Sequence, residues 1–173
     1  MPEFPPVSVF EFNELLKGIK KDNQQAFEKF YIKYAERISF TAYAYVGKLG
    51  LAEDVLSDIM VKIVKLAKKG KYIQKPEAWL VTVIKNHCYN LIKKHQKMVL
   101  CPDVHVQDSF ELAESEMIFY DYLQSLDDKE RIVIIFKISF GYTFKEIAKE
   151  LKMSESSIEK IFSKAKEKII LKI

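Results

Sequence analysis

The stretch that decides the fold is TFKEIAKELKMSESSIEKIFSK, residues 143–164. Thr143, with Glu146 three residues on, has the form of a capping box, in which the hydroxyl takes an orphan helix N–H and the carboxylate reaches back. Ile147 and Leu151 carry the apolar spacing, and Ala148 is small where two helices must cross closely. Met153 fills the turn, and Ser154 is placed to cap a second helix that buries Ile158 and Ile161. The pattern predicts a helix-turn-helix. Lys152 stands in the turn where glycine is usual. A positive φ there costs a non-glycine residue on the order of 1 kcal/mol, a tolerable amount.

The same signals recur outward along the chain. Ser8 with Glu11, Asp22 with Gln25, and Asp127 with Glu130 repeat the box, Pro76 suits a first helical position, and Gly47 and Gly141 suit C-terminal stops. Between these marks run stripes of helical period: Phe27, Phe30, Tyr31, Tyr34, Ile38, Ala42 and Tyr45; then Ala52, Val55, Ile59, Ile63 and Leu66; then Leu80, Val83, Ile84, Cys88, Leu91 and Ile92. Helices are expected near 9–20, 23–46, 51–69, 76–97, 109–125, 128–140, 143–151 and 154–171. The run IVIIF at 132–136 has strand propensity but follows a capping box in a longer segment, and is read as helix. The fold class expected is all-α.

Composition agrees. Only five glycines and five prolines occur in 173 residues, and three of the prolines fall in the first six, so chain breaks are rare and long helices are favoured. An apolar content of 49% supports a buried core. The two cysteines, Cys88 and Cys101, form no CxxC pair, which speaks for a reducing, cytoplasmic setting without a disulfide scaffold. No apolar run approaches membrane-spanning length and the N-terminus lacks a signal-peptide pattern, so association with a membrane is not expected.

Residues 98–118 contain no Lys or Arg but hold Asp103, Asp108, Glu111, Glu114 and Glu116, with Pro102 interrupting helix. This divides the chain into an N-terminal domain at 1–97, an acidic linker at 98–114 and a C-terminal domain at 115–173.

Three faces carry candidate function. The second helix of the helix-turn-helix would face the major groove with Ser157, Glu159, Lys160, Ser163 and Lys164, and residues 152–173 set six lysines against three glutamates, which suits phosphate contact. An ordinary helical hairpin with a solvated lysine face is the bland alternative. The helix at 76–97 turns a stripe of Asn86, Tyr89, Asn90, Lys93 and Lys94 away from its apolar side, with no acid after Glu77. Amides and an aromatic ring can bond and stack unpaired bases while lysines hold the backbone; a merely solvated face is the alternative. The third face is the first turns of the helix at 51–69, where Glu53, Asp54, Ser57 and Asp58 suit either the helix dipole or a basic partner. No catalytic constellation, phosphate loop, cofactor motif or metal set is read: His87, His95 and His105 lack ligands at the right spacing and are taken as incidental, and Cys88 as core.

Taken in order, AFEKFYIKYAERI, LAEDVLSDIMVKIVK and WLVTVIKNHCYNLIKK resemble the helices of sigma region 2, and LQSLDDKERIVIIFKISFGYTFKEIAKELKMSESSIEKIFSKAKEKI is similar to sigma region 4. The resemblance covers about 25–95 and 115–170, and the lack of an intervening region 3 points to the extracytoplasmic-function (ECF) group of bacterial RNA polymerase sigma factors. It implies a two-domain initiation factor without catalysis of its own. Asp54, Ser57, Asp58 and Ile59 would meet a coiled coil of the largest polymerase subunit; Asn86, Tyr89, Asn90 and Lys93 would read the melted minus-ten element; Glu159, Lys160, Ser163 and Lys164 would read the minus-thirty-five element. It also implies contact with the flap of the second polymerase subunit and, as is common in the group, an anti-sigma partner. Lysines replace the arginines frequent in the family's recognition helix, Glu159 lies among them, and Ser57 stands for a common glutamine. A stand-alone helix-turn-helix regulator and a sigma-like interaction module are the competing readings.

Overall fold

The computed structural model describes residues 2–98 and 120–171. The chain divides into a unit spanning Pro6–Asp108 and a unit made of Met1–Pro5 with Ser109–Ile173. All regular structure among the described residues is helical. The expected linker and the first part of the helix foreseen at 109–125 lie outside the described residues; its end, 120–124, is helical.

The N-terminal unit holds α1 (Val9–Lys20), α2 (Gln24–Val46), α3 (Leu49–Lys68) and α4 (Pro76–Met98). Ser8 caps α1 by accepting the Glu11 N–H at 3.3 Å. At α2 the cap is Asn23, not Asp22: Asn23 accepts the Ala26 N–H, whereas Asp22 turns to φ 57° and pairs with Lys68. Gly47 closes α2 in the left-handed region at φ 68°, donating its N–H to Tyr43 O at 2.8 Å.

The core forms where the apolar stripes of α1, α2, α3 and α4 meet. The Phe12 ring lies edge-on to Phe30 and Tyr34 at 5.4 and 5.5 Å, and Ile38, Ala42, Val55, Ile63, Leu80, Ile84 and Cys88 are buried around the bundle. Gly18 sets the approach of α1 to α2: a Cβ there would stand 2.5 Å from Ala26 Cβ, so any side chain would push the helices apart. Arg37, 6% exposed, is paired with Glu77 at 3.2 Å, the arrangement a buried cation requires. Asn13 holds the connection between α3 and α4 in place. Its amide donates to Ile73 O at 2.9 Å and its oxygen accepts the Ile73 N–H at 2.8 Å.

The C-terminal unit holds α5 (Asp128–Ile138), α6 (Phe144–Leu151) and α7 (Glu155–Ile170). Both expected capping boxes are complete, at Asp127–Glu130 and Thr143–Glu146. Residues 132–136 are helical and all buried, so burial on every side of α5 overrides their strand propensity. Lys152 ends α6 at φ 53°, ψ 46°, and Ser154 then caps α7 through the Ser157 N–H. Ile147, Ala148, Ile158 and Ala165 close the core against α5, and Phe144 meets Phe162 at 5.4 Å. The N-terminal residues, expected with the first domain, group with this second unit. Phe4 stacks on Phe140 at 5.1 Å and donates its N–H to Ser139 O at 2.7 Å.

Candidate nucleic-acid interface

On α4 Leu80, Ile84 and Cys88 are buried and Val83, Leu91 and Ile92 half-buried, which turns the residues between onto the opposite side. Asn86, Tyr89, Asn90, Lys93 and Lys94 are all exposed. They follow the three- and four-residue spacing that puts side chains on one helical face. Tyr89 is 44% exposed but not loose, since its ring leans edge-on against the buried Tyr45 at 5.8 Å. The face therefore offers one braced aromatic surface, two amides and two ammonium groups, with no carboxylate among them.

On α7, Glu159, Lys160, Ser163 and Lys164 are exposed. Ser157 is only half-exposed, and its hydroxyl is spent at the helix start, 2.7 Å from Ser154 Oγ. Lys164 is partly engaged, its ammonium 3.5 Å from Glu130 Oε1. Glu130 is 2% exposed, accepts the Asp127 N–H at 3.0 Å and receives Lys168 at 2.7 Å. Burial raises the Glu130 pKa, but the Lys168 ammonium, the Asp127 amide and Lys164 outweigh it and hold the carboxyl below its ordinary value. This carboxylate anchors α7 to α5 from beneath, while Glu159 and Lys160 stay exposed.

On α3, Asp54, Ser57 and Asp58 are exposed, but Ile59 is not: at 0% it lies in the core. The reason is periodicity. Ile59 falls four residues after Val55 and four before Ile63, both fully buried, so one surface cannot include both it and Asp58. The apolar residue that does share the face is Val61, 53% exposed, three residues from Asp58 and four from Ser57.

Two features escape the sequence reading. His87 is not incidental: its Nε2 lies 2.9 Å from Asp58 Oδ2 and its Nδ1 3.2 Å from Lys62 Nζ. Their separation in sequence hides that contact. The second was visible in the composition: six lysines between 62 and 75, with no acid from Asp58 to Glu77. Lys71 and Tyr72 line an open cleft of about 240 Å³ with Lys17, Lys20, Asn13 and Leu16. This surface adds positive potential to the same unit that carries the α4 stripe.

Among the described residues no group of His, Cys, Asp or Glu is arranged to hold a metal, and no helix is long and apolar enough to cross a membrane. Cys88 is fully buried and burial pushes its thiol up to about 12, leaving it protonated and inert.

Comparison with protein families gives two matches. The model for sigma-70 region 2 matches residues 30–98, and the model for sigma-70 region 4 matches residues 116–169. Together they take in most of the chain, in the order and with the gap expected. No curated protein matches. The region 2 match spans α2 through α4, and with them the α3 acidic face and the α4 stripe; the region 4 match spans α5 through α7. Proteins built of these two regions act with core RNA polymerase at promoter DNA. An all-helical chain with a region 2 and a region 4 and no matched region between them belongs to the sigma-70 family, as an RNA polymerase sigma factor of the extracytoplasmic-function type.

Proposed function

We propose a division of labour among three helices. The exposed α3 face of Asp54, Ser57 and Asp58, joined by Val61, docks on a basic coiled coil of the largest polymerase subunit. The α4 stripe of Asn86, Tyr89, Asn90, Lys93 and Lys94 takes unpaired bases of the minus-ten element: the amides bond base edges, Tyr89 stacks, and the lysines hold phosphates. The exposed residues of α7, led by Lys160 with Glu159, Ser163 and Lys164, lie in the duplex major groove at the minus-thirty-five element, and the C-terminal unit meets the flap of the second subunit. Residues 6–97, 98–114 and 115–173 would be the region 2 domain, linker and region 4 domain, with residues 1–5 joined to the last, acting in the cytoplasm under the control of an anti-sigma partner.

The observation that carries this reading is the α4 stripe. An amide–aromatic–amide–lysine face with no acid, whose ring is braced by Tyr45, suits bases removed from the duplex better than it suits water. Lysine in α7 holds phosphate as a point charge and lacks the two-pronged fit of arginine to guanine, so α7 would position more than it specifies.

The test is promoter opening by core polymerase with this protein, followed by 2-aminopurine fluorescence in the minus-ten element. The pair Asn86→Ala and Asn90→Ala is expected to reduce opening about tenfold or more, at 1–3 kcal/mol for each lost base contact, while core binding persists. Unchanged opening would overturn the stripe's role. Core binding without any promoter response in the unaltered protein would instead favour a sigma-like interaction module.

A further inference from the structure

We infer that His87 is a positioning residue for polymerase docking: it bridges Lys62 and Asp58 across α3 and α4 and holds the Asp58 carboxylate out for the partner. The inference rests on the docking face proposed above.

Asp58 and Lys62 are four residues apart on α3, the spacing at which a carboxylate and an ammonium readily close on each other. The imidazole of His87, from α4, stands between them. Lys62 Nζ lies 3.2 Å from Nδ1 and Asp58 Oδ2 lies 2.9 Å from Nε2. An ammonium can only donate, so Nδ1 must accept and the ring proton sits on Nε2, which donates to Asp58. One neutral tautomer thus satisfies both neighbours in a chain running from ammonium through imidazole to carboxylate. A proton added to the ring would set an N–H against the Lys62 ammonium and break that chain.

The His87 side chain is 19% exposed and that of Asp58 57%, so the ring is held while the carboxylate reaches solvent. The ring meets Asp58 through Oδ2, which leaves Oδ1 to serve the partner proposed above. Without the ring, Lys62 is free to fold onto Asp58 and neutralise it. His87 also follows Asn86 directly in sequence, so the bridge ties α3 to α4 beside the first residue of the base-reading stripe.

Two measurements test this on the full chain. In nitrogen-15 NMR of the free protein at alkaline pH, the neutral His87 ring should carry its proton on Nε2; the opposite tautomer, or rapid averaging of the two, would overturn the bridge. In core polymerase binding, His87→Leu, which can neither donate nor accept, is expected to weaken affinity about three- to fivefold, the scale of a half-exposed charge network. His87→Gln, whose amide offers an acceptor and a donor at similar spacing, should stay within about twofold of the parent. In an Asp58→Ala background, His87→Leu should have no further effect. Parent-like binding by His87→Leu, failure of glutamine to rescue, or a full effect persisting without Asp58 would each overturn the role. Should Asp58→Ala itself bind like the parent, the docking face is wrong and the inference falls with it. Should Asp58→Ala bind weakly while His87→Leu does not, the face stands and the bridge alone falls.

Discussion

Replacing Glu130 by alanine should loosen α7 from α5 in the C-terminal unit. The side chain is 2% exposed, serves as the N3 half of the α5 capping box and binds Lys168 at 2.7 Å. Removing one partner of a buried pair costs about 3–5 kcal/mol. The lysines are only half-hidden, at 38% for Lys168 and 66% for Lys164, and can recover water, so about 1.5–2 kcal/mol of that remains. Leaving the Asp127 N–H unmet adds roughly 0.5–1 kcal/mol. The sum, about 2–3 kcal/mol, converts to roughly 30- to 160-fold faster exchange of the slowest amides of α5 and α7, read by hydrogen–deuterium exchange on the full chain. Glu130→Gln keeps the acceptor for Asp127 and should lose about half as much. Because the folded carboxyl is held below its ordinary value, its contribution is complete above the unfolded value near 4.3 and is lost as pH falls through the folded one. Parent and variant should therefore converge as acidification carries the pH below the unfolded value and through the folded one. A difference under about fivefold at pH 7, or one indifferent to acid, would refute the reasoning.

Two further outcomes follow from particular positions. Lys152→Gly should raise stability by about 0.5–1 kcal/mol, seen as a higher urea midpoint at unchanged slope, because the left-handed turn at φ 53° penalises a side chain; a lower midpoint would contradict the strain. In a Cys101→Ser background, Cys88 should resist iodoacetamide at pH 8 until the protein is denatured, since the thiol is buried and pushed up to about 12; labelling at the rate of a free thiol would contradict its burial.

Local chemistry was legible in the sequence and tertiary chemistry was not. Thr143–Glu146, Asp127–Glu130, Gly47 and Pro76 act within a single turn of chain, so residue type alone placed them. Asp22 and Asn23 show the limit: both can cap, and the choice fell to Asn23 because Asp22 is taken up as the left-handed residue that ends α1, its N–H bonded back to Ile19 O. Ile59 was readable either way. Its own spacing with Val55 and Ile63 marks it as core, and only the resemblance set it among docking residues. The α4 stripe could be drawn from periodicity, but not the ring of Tyr45 that braces Tyr89. Nor could the partners of His87 and Lys164 be read, since each lies on a different helix.

The seat of Phe4 has a consequence for the order of events on the ribosome. Phe4 is made before the ring it stacks on, Phe140, and the carbonyl it bonds, at Ser139, which lie about 135 residues further along the chain. At about 5–20 residues per second, roughly seven to twenty-seven seconds separate them. For that interval Phe4 lacks its partner ring and is open to chaperones and proteases. Its seat waits on the residues that close α5, so a chain truncated before that helix leaves this ring uncovered.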